Sequence, residues 1–297
     1  MIATLLALLA AASNAFASVL QRRAARTVPA AHAFRLRLFL DLLRTPAWLG
    51  GIGALLGAFL LQAAALSQAG LTLIQPVLSA ELPFTMILLG LLPPRDLARV
   101  PWRSVGLLTA GLVGLLAAAA PREGSRSPGA WSWVLAGAAC AGGVALLVLA
   151  ALVARGAARG VLIGIASSVV FAFTAALMKE VTELFGDGIT AVVTSWELYG
   201  MVVGGLAALF LLQNALQSGT LVAVQPALTV SDPVASILLG IGLFGERIRT
   251  GPWVALEVLG VALILAGSIG LSRSPMLQEH HDVKPAKPPR SPRRSAR

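Results

Sequence analysis

Along most of this chain apolar residues follow one another without the alternation of a half-buried strand or the one-sided stripe of a surface helix. Nine such stretches, at 1–20, 47–67, 70–92, 102–120, 131–153, 160–178, 189–212, 219–243 and 252–271, are separated by polar or charged breaks. Each is close to the ~20 residues a helix needs to cross a hydrocarbon core. Membrane β-strands would be about ten residues long and alternating. The pattern predicts an all-α polytopic membrane protein with nine transmembrane helices. The first stretch offers the small residues "SNAFAS" of a cleavage site but has no basic leader, so it is expected to remain as a helix.

Composition agrees, with 57% of residues hydrophobic and 12% charged, against about 25% charged in typical globular proteins. The net charge of +10 matters through its placement. With the N-terminus outside, 18 of the 23 Lys and Arg fall inside: in the 21–46 loop, at Arg95, Arg99 and Arg103, at Arg155 and Arg159, and in the tail. Arg122, Arg126, Lys179, Arg247 and Arg249 are left outside. Basic residues collect on the cytoplasmic side, so the expected topology in the cytoplasmic membrane is N-outside, C-inside. Orientation accounts for the charge, and nucleic acid is not an expected partner. The segment "AHAFRLRLFLDLLRTP" (31–46) reads either as a helix lying on anionic lipid or as a plain connector. The basic, proline-rich tail from Arg273 is expected to be disordered.

Several chemistries are missing. Cys140 stands alone, which leaves no internal disulfide and no cysteine-built metal site. The three histidines lie in the first long loop and the tail, without metal-binding spacing. No phosphate-binding glycine loop ends in Gly-Lys-Ser/Thr, and no catalytic cluster gathers at one membrane face. Neither an enzyme nor an ATP-driven pump is expected.

The chain also repeats itself. "LIQPVLSAELPFTMILLG" at 73–90 returns as "AVQPALTVSDPVASILLG" at 223–240. The flanks follow suit: "FLLQAAAL" with "FLLQNALQ", Pro101-Trp102 with Pro252-Trp253, and "SNAFASVLQR" with "VFAFTAALMK". Spans 1–4 thus correspond to spans 6–9, and span 5 is unpaired. An offset of five helices reverses direction, so the halves are expected to be inverted, the usual basis of alternating access. The expected organisation is a first repeat at 1–120, the unpaired span with its connectors at 121–159, a second repeat at 160–271 and a tail at 272–297.

Within the repeats, polar residues sit where lipid should be. Pro76, Pro83, Pro226 and Pro233 would free the carbonyls of Thr72, Ser79, Val222 and Thr229. Membrane helices accept such breaks where protein, water or a polar cavity satisfies the freed groups. Spans 3 and 8 are therefore expected inside the bundle, with these prolines as kinks or gating points. Gln75 and Gln225 precede matching prolines and read as partners across a shared cavity or as interhelical glue. Glu81 and Asp232 lie near mid-span, one residue out of register with each other. Ionisable groups at that depth face a cavity or a partner, and these two would be relieved by taking up a proton or binding a cation. Asn14 and Glu197 complete the candidate path, with Gln62 and Gln213 as weaker members. Small-residue stretches such as "GGIGALLGAF" allow close helix approach.

The duplicated pattern "FLLQAAALSQAGLTLIQPVLSAELPF" and "LLQNALQSGTLVAVQPALTVSDPVASILLGIGLFGERI" resembles the drug/metabolite transporter superfamily (EamA-like), nearest its NIPA-like magnesium-transporter branch and related uncharacterised bacterial proteins. The resemblance spans residues 1–271, and the family's terminal glutamate would fall at Glu246, with Asp96 as an approximate counterpart. It implies a pseudosymmetric bundle around a central cavity. Ten spans are typical of members; this chain lacks the last. The expected function is a secondary transporter of a small metabolite, with proton coupling as an option. The alternatives are a divalent-cation (Mg2+) transporter using Glu81 and Asp232, and a scaffold that moves nothing. Expected partners are a small-molecule or ion substrate and membrane lipid, with a homodimer as one assembly.

Overall fold

The computed structural model describes residues 1–27, 45–91, 100–124, 127–219 and 221–274. In chain order the helices are α1 (Ile2–Thr27), α2 (Pro46–Leu66), α3 (Leu71–Leu78), α4 (Glu81–Leu91), α5 (Trp102–Ala119) and α6 (Ala130–Val153). They continue as α7 (Ala157–Leu184), α8 (Ile189–Thr194), α9 (Trp196–Ser218), α10 (Leu221–Phe244) and α11 (Trp253–Ser272). Among the described residues there is no strand, only an isolated antiparallel bridge between Arg122 and Arg247. The described residues contain nine candidate membrane spans, with α3 and α4 together forming the third. The chain is an all-α, multi-pass membrane protein. The 31–44 part of the surface-helix expectation, Arg95, Asp96, Arg99, Arg126 and the tail beyond Ser274 lie outside the described residues.

Span limits differ from the sequence reading at several ends: α1 runs on to Thr27 beyond the expected 20 and α9 to Ser218 beyond the expected 212, and two further shifts have local reasons. The reading ends span 6 at 178, but α7 continues to Leu184. There Lys179 and Glu183 pair at 3.3 Å one turn apart, which supports the added polar turns. The reading starts span 7 at 189, whereas a separate short helix ends at Thr194 and α9 begins at Trp196. Ser195 makes that break: its hydroxyl accepts the Leu198 N–H at 3.3 Å and caps α9.

The prolines behave differently in the two copies. Span 3 divides at Ser79–Ala80, between Pro76 and Pro83. The Ser79 and Ala80 amides turn back to the carbonyls of Pro76 and Val77 at 3.1 and 3.0 Å, tightening the end of α3. Pro83 then falls in the first turn of α4, where a missing N–H breaks no helical bond. Span 8 is one uninterrupted helix with Pro226 and Pro233 inside it. Only the first copy is divided. The second is braced by its partner α11, the Ser268 hydroxyl donating to Thr229 Oγ1 at 3.2 Å.

The helices pack in pairs. α1 lies along α2, and α7 along α9. In the first pair the Ser13 hydroxyl donates to the Ala54 carbonyl; in the second, Ser167 donates to Ala208. Both bonds measure 2.8 Å and both link residues 41 apart. α5 and α11 form a third close pair. A Cβ on Gly111 would come within 2.7 Å of the Gly260 carbonyl, so the two backbones meet only because glycine stands there. α10 is central, touching α7, α11 and α3. α6 rests chiefly on α7, with 6% of its apolar window buried.

Candidate functional site

Between α1, α2, span 3, α7, α9 and α10 lies a cavity of about 680 Å³. Asn14, Gln75, Glu81, Gln225 and Asp232 all line it, so five of the six path residues expected from sequence converge on one space. Gln62 joins them; Gln213 does not. Glu197 is not part of the lining and stands in the first turn of α9. The Ser195 cap starts α9 just before it, which keeps Glu197 at the end of the span.

The two carboxylates are held differently. Glu81 is the first residue of α4, at the break between the prolines. A negative charge suits the positive end of a helix. Asn14 Nδ2 donates to Glu81 Oε2 at 2.6 Å, and the Ser18 hydroxyl donates to Oε1 at 3.3 Å. This carboxylate therefore ties span 3 to α1. Asp232 sits inside α10, directly before Pro233. Its Oδ1 is buried and has no hydrogen-bond partner among the described residues.

Two further polar atoms on the cavity wall share that condition: Gln75 Nε2 on α3 and the Ser168 hydroxyl on α7. Both residues are buried. Buried polar atoms in folded proteins are nearly always paired, and leaving one unpaired costs about 1–3 kcal/mol. Three around one cavity mark a place where something else completes the bonding. Sequence reasoning did not single out Ser168. Its only signal is a hydroxyl in the apolar run "IASSVVFAF", a weak one because serine is common in membrane helices. The remaining wall is mostly apolar, with Phe59, Phe171, Met178 and Met201. No cluster of three or more His, Cys, Asp or Glu able to hold a metal ion occurs among the described residues. Glu81 and Asp232, the pair considered for Mg2+, share the cavity without a third such group.

The end of the bundle at Leu71 and Phe244 is closed. Glu246 is buried there and accepts the backbone N–H groups of Leu71 and Thr72, both at 2.8 Å, and the Thr72 hydroxyl. α3 follows Gly70, which has no side chain to cap it. A carboxylate from the far side of the sequence supplies that cap. A Cβ on Gly70 or Gly240 would land within 2.6 Å of the Glu246 carboxylate. The site is thus carved by two glycines, one from each copy of the duplicated segment. Next to it, Trp133 packs edge-on against Phe173, Trp196 and Phe244 at 5.8, 5.5 and 6.3 Å. The Lys179 ammonium stands 5.3 Å from the Phe244 ring. The sequence pointed to Glu246 by resemblance alone; no periodicity revealed that it caps a helix 175 residues away.

No family model matches the chain. No solved structure matches it. It is similar to an uncharacterized protein of Corynebacterium glutamicum, 29% identical over 280 residues, which covers 92% of this chain and 96% of that protein.

Proposed function

We propose that this protein is a secondary transporter that carries a small molecule by alternating access, with the central cavity as its substrate site. The observation that carries the reading is the set of unpartnered buried atoms, Gln75 Nε2, Ser168 Oγ and Asp232 Oδ1, on residues that line one space inside a membrane bundle. They come from α3 on one side of the duplicated sequence and from α7 and α10 on the other. The packing supports a duplicated arrangement: the α1–α2 pair and the α7–α9 pair use the same serine-to-carbonyl bond at the same separation. It is also the arrangement that the drug/metabolite transporter resemblance implies. In this proposal the Glu246 bonds hold one end shut, and release to that side requires their rupture. The carboxylates make a proton the first co-substrate to test.

The test is thermal stability of the purified protein against amino acids, other common metabolites, magnesium and other divalent ions, at mildly acidic and mildly alkaline pH. A ligand at a hundred times its Kd should add about 2.7 kcal/mol. An organic solute should raise stability, and Asp232→Asn should abolish the rise. A rise with magnesium alone would replace this reading with cation transport. A solute effect that survives Asp232→Asn would remove the cavity as its site.

A further inference from the structure

The cavity is closed toward the Glu246 end and flanked by exposed helix faces around the bundle. A helical turn takes about 3.6 residues, and apart from Gln225, the fourth residue of its span, the lining residues lie beyond the first and last turns of their spans. Toward the Glu246 end, a core of Leu66, Leu71, Ile74, Leu177, Leu243 and Phe244 closes it off. Toward the other end come Val19, Met86 and Leu89 on one side, and Ile163, Ala215 and Val224 on the other. The lining residues that remain exposed are on α2 and α9: Leu55 and Phe59 at 43% each, Val202 at 53%, Leu206 at 64% and Leu209 at 48%. α2 leans on α1 and α9 on α7, while α2 and α9 share at most marginal contact. The cavity opens sideways through the slot between them, at hydrocarbon depth.

What fills such a slot must itself be apolar, because water at that depth finds no polar partners. At the inner end of the same space, Gln75 Nε2 needs an acceptor and Asp232 Oδ1 a donor. A carboxylate or phosphate head would meet Asp232 without a proton to offer, and the described lining holds no Lys, Arg or His. We infer that the cavity takes a single-chain amphiphile from the bilayer, its hydrogen-bond-donating amino head on Asp232 and its chain leaving between α2 and α9. The volume of about 680 Å³ falls within the roughly 300–1,000 Å³ of small-molecule sites. The chain never enters water on this route, so only the head must be desolvated. The transport consequence rests on the carrier reading; the site does not.

The experiment uses the full chain in lipid nanodiscs with dodecylamine carrying a diazirine at its chain end, crosslinked by light and mapped by mass spectrometry. Labelling should concentrate around Leu55–Phe59 and Val202–Leu209 over the lipid-facing surface of α6. Excess dodecylamine should reduce it about tenfold, while propylamine and dodecanoate should not. Asp232→Asn should reduce it similarly. Leu206→Trp, which fills the slot from an exposed position, provides a second variant should Asp232→Asn fold poorly. Equal labelling of α6, indifference to both variants, or displacement by propylamine would overturn the inference. Liposomes separate the two claims. Labelling without transbilayer movement of dodecylamine would remove the carrier reading and keep the site. Uptake of a soluble solute without α2–α9 labelling would do the reverse.

Discussion

Residues 73–90 and 223–240 are near copies in sequence, yet one is a divided helix and the other runs unbroken. The difference lies in what each leans on. The first copy is pinned by carboxylates at its start and at its break: Glu246 caps the first turn of α3, and Glu81 opens α4 and accepts from Asn14 and Ser18. The second copy is braced along its length by α11 and leaves Asp232 Oδ1 unpartnered. Glu81 and Asp232, one residue out of register, both line the cavity, but Glu81 is a fastening and Asp232 Oδ1 is left without a partner among the described residues. Similar local sequence thus yields a structural carboxylate in one copy and a candidate ligand-binding one in the other.

Glu246 provides the sharpest way to break this comparison. Glu246→Ala leaves the Leu71 and Thr72 amides and the Thr72 hydroxyl buried without an acceptor, which should cost about 3 kcal/mol. The loss is read as a lower thermal midpoint in detergent, with Glu246→Gln falling between. A variant as stable as the parent would mean that α3 is held by packing instead. Next in size is the contrast between the two cavity acids. Glu81→Gln gives up charge-assisted bonds and should cost about 1–2 kcal/mol. Asp232→Asn, with no such bond to lose from Oδ1, should leave stability near the parent value and remove ligand binding. Equal stability losses in the two variants would erase the distinction drawn here. The smallest effect is expected at Pro83. Because it occupies the first turn of α4, Pro83→Ala should stay within about 0.5 kcal/mol. A larger change would show that the proline, and not the contacts around it, sets the break.

What the sequence determined by itself was whatever depends on local chemistry. The length and apolarity of each run decide whether it can cross hydrocarbon, so the spans were legible, while their ends moved at Ser195, at the Lys179–Glu183 pair and at the C-terminal ends of α1 and α9. The rarity of polar residues in such runs exposed Asn14, Gln75, Glu81, Gln225 and Asp232, because each is too expensive to place against lipid. Only the tertiary structure decided which of these find a partner, since that depends on helices far away in the chain. It joined Asn14 to Glu81, left Asp232 open, and brought Glu246 to a helix start that lacks its own cap. It likewise decided that α2 and α9 stand apart. A leucine facing a neighbour and a leucine facing lipid are the same residue to any local pattern, and only packing tells them apart.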